Sequence, residues 1–262
     1  MTIDYRRAPV RTGLAVGTAL VLLLAWEIAA LTDVIPTRFA PSPSQILGEL
    51  GGMIATSALW SAIGATLYAW AQALALAVTA GTAIGLALGS SRYFSALFGP
   101  ILDFLKPIPS IAMIPLVIFT IGSGKNAEVF LATYGAFFQM LMSSISATRM
   151  IDPVGRDTAD AYSFGFWTRL RYVIVPSMLP QLMTGIRIAS NTALIFCITA
   201  ELLMGMAGLG SALGAAGSAG NLTVMYAYIV VIGIVGFSLN TGLLALQKRI
   251  LSWHESYRNE AA

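Results

Sequence analysis

Few residues in this chain could carry covalent or metal chemistry. Of its 262 residues only one is histidine, His254, and only one is cysteine, Cys197. A single imidazole cannot build a histidine-based metal cluster, and a single thiol cannot close an intrachain disulfide. No nucleophile–base constellation can be assembled from them, so the sequence points to no catalytic and no metal site, and away from an enzyme. Cys197 lies in an apolar run and reads as a small packed hydrophobe. Gly122-Ser123-Gly124-Lys125-Asn126 bears a superficial likeness to a phosphate-binding loop. Such a loop needs a glycine five positions before its last glycine and a hydroxyl residue after the lysine. Phe119 and Asn126 stand there instead, and the stretch reads as a turn.

The chemistry that remains is that of ionisable groups in apolar surroundings. Glu201 sits within a long apolar stretch, where a carboxyl group is by default a candidate functional group. Two readings stand side by side: a structural partner at an interhelical or dimer contact, or a place near a gate or pathway. Asn191, a second pathway candidate, lies ten residues earlier, roughly 80° away around an ideal helix, so the two need not share a face. Asp103 and Lys106 are three apart and can form an intramembrane ion pair on one helix face. Pro107-Ile108-Pro109-Ser110 follows and cannot continue an unbroken helix. A break at membrane depth must face protein or water. Pro107 and Pro109 therefore mark either a packing kink or a hinge lining a pathway. Glu27 reads as interfacial, and Arg187, about two turns into its helix, as able to snorkel toward the cytoplasmic face.

These groups are held in a chain that is 57% hydrophobic and 10% charged, with a mean hydropathy of +0.78. An average soluble domain carries roughly 25% charged residues, so the chain is predicted to be an all-α integral membrane protein. Six stretches are long enough to span, at about 20 residues each: roughly 13–31, 58–89, 97–121, 127–148, 180–206 and 222–247. The first is too long for a signal peptide and lacks a small-residue cleavage site. Between the first two, Pro41-Ser42-Pro43-Ser44 starts a short interfacial helix that Ser42 or Ser44 can cap. The organisation expected is 1–57 as an N-terminal span with an interfacial helix, 58–250 as the core, and 251–262 as a tail.

Basic residues orient the spans. With the N-terminus inside, the cytoplasmic segments hold Arg6, Arg7, Arg11, Arg92, Arg149, Arg156, Arg169, Arg171, Lys248, Arg249 and Arg258, and the outer ones only Arg38 and Lys125. The positive-inside rule then places both termini in the cytoplasm. The net charge of +3 comes from these loops and does not argue for nucleic acid.

The longest polar interruption, Ile151 to Pro176, falls on the cytoplasmic side. Asp152-Pro153 reads as a helix start, with Asp as N-cap and Pro at the first helical position. Asp157 and Asp160 suit the early turns. Ser163-Phe164-Gly165 ends the helix, and Phe166 to Tyr172 forms a second amphipathic piece with Arg169 and Arg171 facing water. Pro176 and Pro180 are expected to turn the chain back into the bilayer. Small residues (Ala159, Ala161, Ser163) beside aromatic ones (Tyr162, Phe164, Trp167) would form a knob able to enter a partner's groove.

This segment resembles the "EAA" loop of the permease subunits of binding-protein-dependent ABC importers. The family pattern is Glu-Ala-Ala, three residues, Gly, nine residues, then Ile-x-Leu-Pro. Ungapped, it falls on Asp157-Thr158-Ala159, Ser163 and Val173-Ile174-Val175-Pro176. Asp152-Pro153, Leu179-Pro180, Leu182-x-x-Gly185-Ile186-Arg187, Pro107-Ile108-Pro109-Ser110, Ile114-Pro115-Leu116, Gly135-Ala136-Phe137-Phe138, Ala200-Glu201 and Gly208-Leu209-Gly210 resemble the nitrate/sulfonate/taurine branch. The likeness covers about 58–250. Glu is replaced by Asp157, the first Ala by Thr158 and Gly by Ser163. Glycine takes a left-handed turn more cheaply than serine, so Gly165 is expected to take over that bend.

The resemblance implies a permease in the bacterial inner membrane that forms a transport pathway as a homodimer. It implies an external substrate-binding protein and two ATPase subunits that grip the coupling helix, Asp157, Thr158, Ala159, Asp160, Ala161, Tyr162, Ser163, Phe164 and Gly165. Cofactors are none, ATP being bound by the partner subunit. A secondary transporter is the rival class, but paired inverted repeats with matching broken helices would be expected of one. A channel would need a ring-forming polar motif, which the sequence lacks.

Gly81, Gly85 and Gly89 recur every four residues, a spacing that lets helices approach closely, within the chain or across a dimer. Glycines 205, 208, 210, 214, 217 and 220 read as a flexible or re-entrant outer loop. Met140, Met142, Met183, Met204 and Met206 read as ordinary packing.

Overall fold

The computed structural model describes residues 8–36 and 39–253. His254, Arg6, Arg7, Arg38 and Arg258 lie outside them, as do the side chain of Arg11 and most of the tail 251–262. Among the described residues all regular structure is helical: α1 (Ala8–Leu31), α2 (Pro43–Ile54), α3 (Ser57–Ser90), α4 (Arg92–Leu105), α5 (Ile114–Ile121), α6 (Lys125–Arg149), α7 (Pro153–Ala161), α8 (Phe166–Arg169), α9 (Val175–Met204), α10 (Leu209–Ser218) and α11 (Leu222–Ile250). Five helical stretches are long and apolar enough to span a membrane, and α4 with the Ser110–Ile121 stretch makes a sixth, bent by 78°. The Pro107–Pro109 break produces that bend, because neither proline can donate to a helical ladder.

The centre is a three-helix seam of small residues. Ala69, Ala73 and Ala77 of α3 meet Ala132, Ala136 and Met140 of α6 and Ala189, Ala193 and Cys197 of α9, all fully or almost fully buried. Gly81, Gly85 and Gly89 face Met140, Ser144 and Thr148 in turn, and a Cβ on Gly85 would stand 2.5 Å from that of Ser144. The partners advance together, so α3 and α6 run parallel, and the glycine ladder serves packing within the chain. In the opposite sense, Gly185 of α9 lies against Ser143 and Gly135 of α6 against Phe196, so α9 is antiparallel to α6. Glycine and alanine at four-residue spacing bring backbones close enough for dispersion to hold helices together where lipid removes the hydrophobic drive.

Local capping sets the ends. Ser42 caps α2 in a reciprocal box: its Oγ accepts from the Gln45 N–H and its own N–H donates to Gln45 Oε1 at 3.1 Å. Glu27 accepts from the Ser44 N–H (3.0 Å) and hydroxyl (2.7 Å), tying α1 to α2. Two expectations need correction here. Of the two readings of the glycine-rich stretch after Met204, flexible or re-entrant, the flexible one fails, because the stretch holds a packed helix, α10. Only Gly205 takes a left-handed turn as it ends α9 (φ 70°), and Gly220 another (φ 70°) after α10. Pro176 and Pro180 do not turn the chain: α8, a π-helical segment Leu170–Ile174 and α9 run on as one 39-residue helical stretch. A π turn widens the ladder just before Pro176 and so absorbs its missing donor.

Candidate functional site

One end of the bundle carries α7 between α6 and α8. Asp152 is its N-cap, accepting from the Val154 N–H at 3.0 Å, and Pro153 is its first residue. Its C-terminus closes in a two-bond cap. The Phe164 N–H donates to the Ala159 carbonyl at 2.8 Å and the Ser163 N–H to that of Asp160 at 3.0 Å, the pattern that satisfies the last carbonyls of a helix. The residue that turns left-handed is Ser163 itself, with φ 53°. Gly165 is extended (φ −62°, ψ 160°), so the expectation that it takes the bend is wrong. The six-residue arithmetic of the cap fixes the turn at Ser163, whatever its side chain.

Ala159 is also turned inward, fully buried, and is not part of the expected exposed knob. Gly155 lets α7 lie on the π segment: an added Cβ would stand 3.3 Å from Val173. Asp157, Thr158, Asp160, Ala161 and Ser163 are exposed, and the aromatic rim is wide open: Tyr162 is 75% exposed, Phe166 69% and Trp167 77%. The Phe164 and Tyr162 rings lie tilted at 43° to each other, centroids 6.3 Å apart. Asp160 pairs with Arg169, fastening α7 to α8. The whole forms an aromatic-edged ledge at this end of the bundle.

At the opposite end of the bundle lies a second polar cluster. Glu201 is fully buried. The Thr66 hydroxyl donates to its Oε1 at 2.7 Å, and the Gly210 N–H to its Oε2 at 2.8 Å. Thr66 Oγ1 in turn accepts from the Leu209 N–H at 2.9 Å. A Cβ on Gly208 would land on the Glu201 carboxyl, and one on Gly210 on the Ile198 carbonyl. Gly208-Leu209-Gly210 is thus a cradle that bare backbone alone can make. Sequence reasoning missed Glu128, which is buried beside Glu201, within hydrogen-bonding reach of it. The rule that singled out Glu201, an ionisable residue in an apolar run, applies equally to Glu128. Lys125 stands nearby, its Nζ 4.8 Å from the centre of the Tyr68 ring and donating to the Ala65 carbonyl at 3.3 Å. The cluster ties α3, α6, α9 and α10 together.

The remaining candidates are scattered. Asn191 is exposed on α9, away from Glu201. Pro107 and Pro109 are exposed at the α4–α5 break. Asp103 and Lys106 do not pair: both are exposed, and neither has an ion-pair partner among the described residues. Lys106 is the C-cap of α4 and keeps right-handed helical geometry (φ −56°, ψ −42°), so the spacing would allow the pair, but the two side chains reach into solvent without meeting.

Residues 77–252 match the family model described as binding-protein-dependent transport system inner membrane component. Over 248 residues the chain is 33% identical to the taurine transport system permease protein TauC of Escherichia coli (strain K12), covering 92% of this chain and 90% of that one. It is 24% identical over 237 residues to the putative aliphatic sulfonates transport permease protein SsuC of Bacillus subtilis (strain 168), covering 90% and 86%. Among solved structures, a chain of the MetNI methionine ABC transporter in an inward-facing conformation matches with a TM-score of 0.64 at 20% identity, over 73% of this chain and 95% of that one, a likeness of fold. A ledge-bearing helical bundle, a match over two thirds of its length and a relative one third identical lead to one conclusion: this multi-pass chain belongs to the family of binding-protein-dependent transport system inner membrane components.

Proposed function

We propose that this chain is the pathway-forming subunit of an ATP-driven importer for taurine or a related small organic sulfonate. The substrate class follows the names of TauC and SsuC. Two copies enclose the pathway, an external binding protein delivers the solute, and both termini face the cytoplasm of a bacterial cell, a placement that the distribution of basic residues supports. The observation that carries the reading is the α7 ledge. A helix capped at both ends, bonded to α8 and edged by exposed aromatic side chains suits the groove of an ATPase subunit. Closure of two ATPases would move the ledges and shift the helices between two packed arrangements.

The test is reconstitution of the chain with its ATPase and binding protein in liposomes. Asp157→Lys and Ser163→Trp are expected to leave the permease folded and inserted while separating ATP hydrolysis from taurine uptake. Normal coupled uptake in both variants would remove the coupling role from α7.

A further inference from the structure

The exposed face of α9 changes character along its length. Thr184, Arg187 and Asn191 follow one another at helical spacing on the half nearer α7, and Ile195, Ile198 and Leu202 continue the same face beyond them. Arg187 is half-buried and Asn191 exposed, and neither side chain has a hydrogen-bond or ion-pair partner among the described residues. Thr184 bonds only back to the Pro180 carbonyl, at 3.0 Å. Gly185 packs on Ser143 and Met140, and Met140 on Gly81. Arg187 therefore lies at that level, about 12 Å inside the Arg149 end at 1.5 Å per residue. A guanidinium there, with a carboxamide one turn deeper on the same face, is costly against lipid and sensible only against water, an anion or a second subunit.

We propose that Arg187 and Asn191 form a way-station for an oxyanion in the pathway, reading the sulfonate of the transported solute. The inference rests on the importer reading above. Guanidinium N–H groups match the oxygens of a sulfonate as they match those of carboxylate and phosphate. The Asn191 amide adds a donor one turn further in. The isoleucine–leucine stretch beyond offers no hydrogen bond, so the anion meets its first charged contact at this level. A lipid phosphate could satisfy Arg187 by snorkelling, but it would not account for Asn191, which lies deeper.

The test uses the full complex in liposomes with Cys197→Ser removing the native thiol. Asn191→Cys is added and its reaction with methanethiosulfonate ethylsulfonate, an anion, is compared with that of the ethyltrimethylammonium reagent. The expected result is labelling from water with about a tenfold preference for the anion, abolished by Arg187→Gln and kept by Arg187→Lys. An unreactive thiol, as a lipid-facing position would give, overturns the proposal. So does a preference unchanged by Arg187→Gln. Wild-type taurine uptake is measured in parallel: its absence with the labelling bias intact sinks the taurine reading and spares the anion site.

Discussion

Thr66 and Glu201 are 135 positions apart and joined by a hydrogen bond of 2.7 Å, with both side chains sealed from solvent. Because Thr66 Oγ1 also accepts from the Leu209 N–H, one hydroxyl serves a carboxyl group and a backbone donor together. Thr66→Val keeps the shape and removes both bonds. It is expected to destabilise the fold by about 1–3 kcal/mol, read as a lower thermal midpoint in detergent. Thr66→Ser is expected to stay near wild type. Glu128→Gln retains shape and offers Glu201 an N–H donor, so its midpoint should exceed that of Glu128→Leu.

The α3–α6 seam gives an internally controlled prediction. On α3, a Cβ on Gly85 would collide with Ser144, whereas one on Gly64 meets open space. Gly85→Ala is expected to cost about 1–3 kcal/mol through overpacking. Gly64→Ala is expected to stabilise by up to about 1 kcal/mol, the helix-propensity difference. Equal midpoints for the two variants would disprove the seam.

Ser163 holds a left-handed conformation at φ 53°. Ser163→Gly relieves a cost of about 1 kcal/mol at the αL position of the cap, so hydrogen exchange of the Phe164 amide should slow. Ser163→Val should speed it, because a β-branched side chain tolerates that conformation poorly.

Asp160 and Arg169 are both partly in water, with side chains 64% and 34% exposed. Their pairing is expected to contribute no more than about 1 kcal/mol, and less at high salt. Its role would be geometric. Asp160→Arg and Arg169→Asp should each lower coupled uptake, and the double reversal should restore much of it. A double variant no better than either single one would assign the pair no positioning role.

Where the sequence was legible, the signal was local. Asp152-Pro153 announced α7 because a cap needs only its own neighbours, and the glycine spacing announced a close seam because period and size suffice. What escaped depended on distant partners or on one residue of register. The sequence alone puts Ala159 on the exposed edge, because the angular position of a nine-residue helix depends on what it rests on. Residue type favours Gly165 for the left-handed turn, whereas the cap's hydrogen-bond arithmetic puts it at Ser163. The glycines after Met204 suggested looseness. Two of them, Gly208 and Gly210, are required by the Glu201 carboxyl and the Ile198 carbonyl, groups that only the fold brings near. Glu128 is legible as a lone carboxyl in an apolar run, but its pairing with Glu201 is visible only when α6 and α9 are set side by side.

The seam of alanine and glycine has a mechanical consequence. Helices α3, α6 and α9 interlock through close backbone approaches at Gly81, Gly85, Gly89 and Gly185, so sliding one along another would drive Met140, Ser144 or Thr148 into backbone. The three behave as a stiff beam. Compliance is left to two flexures, the proline break between α4 and α5 and the π turn where α8 enters α9. The second adjoins the ledge that would receive the push. A stroke applied at α7 would therefore be passed on as tilt, not as shear, to the beam's far end, which the Glu201 cluster ties to α3, α6 and α10.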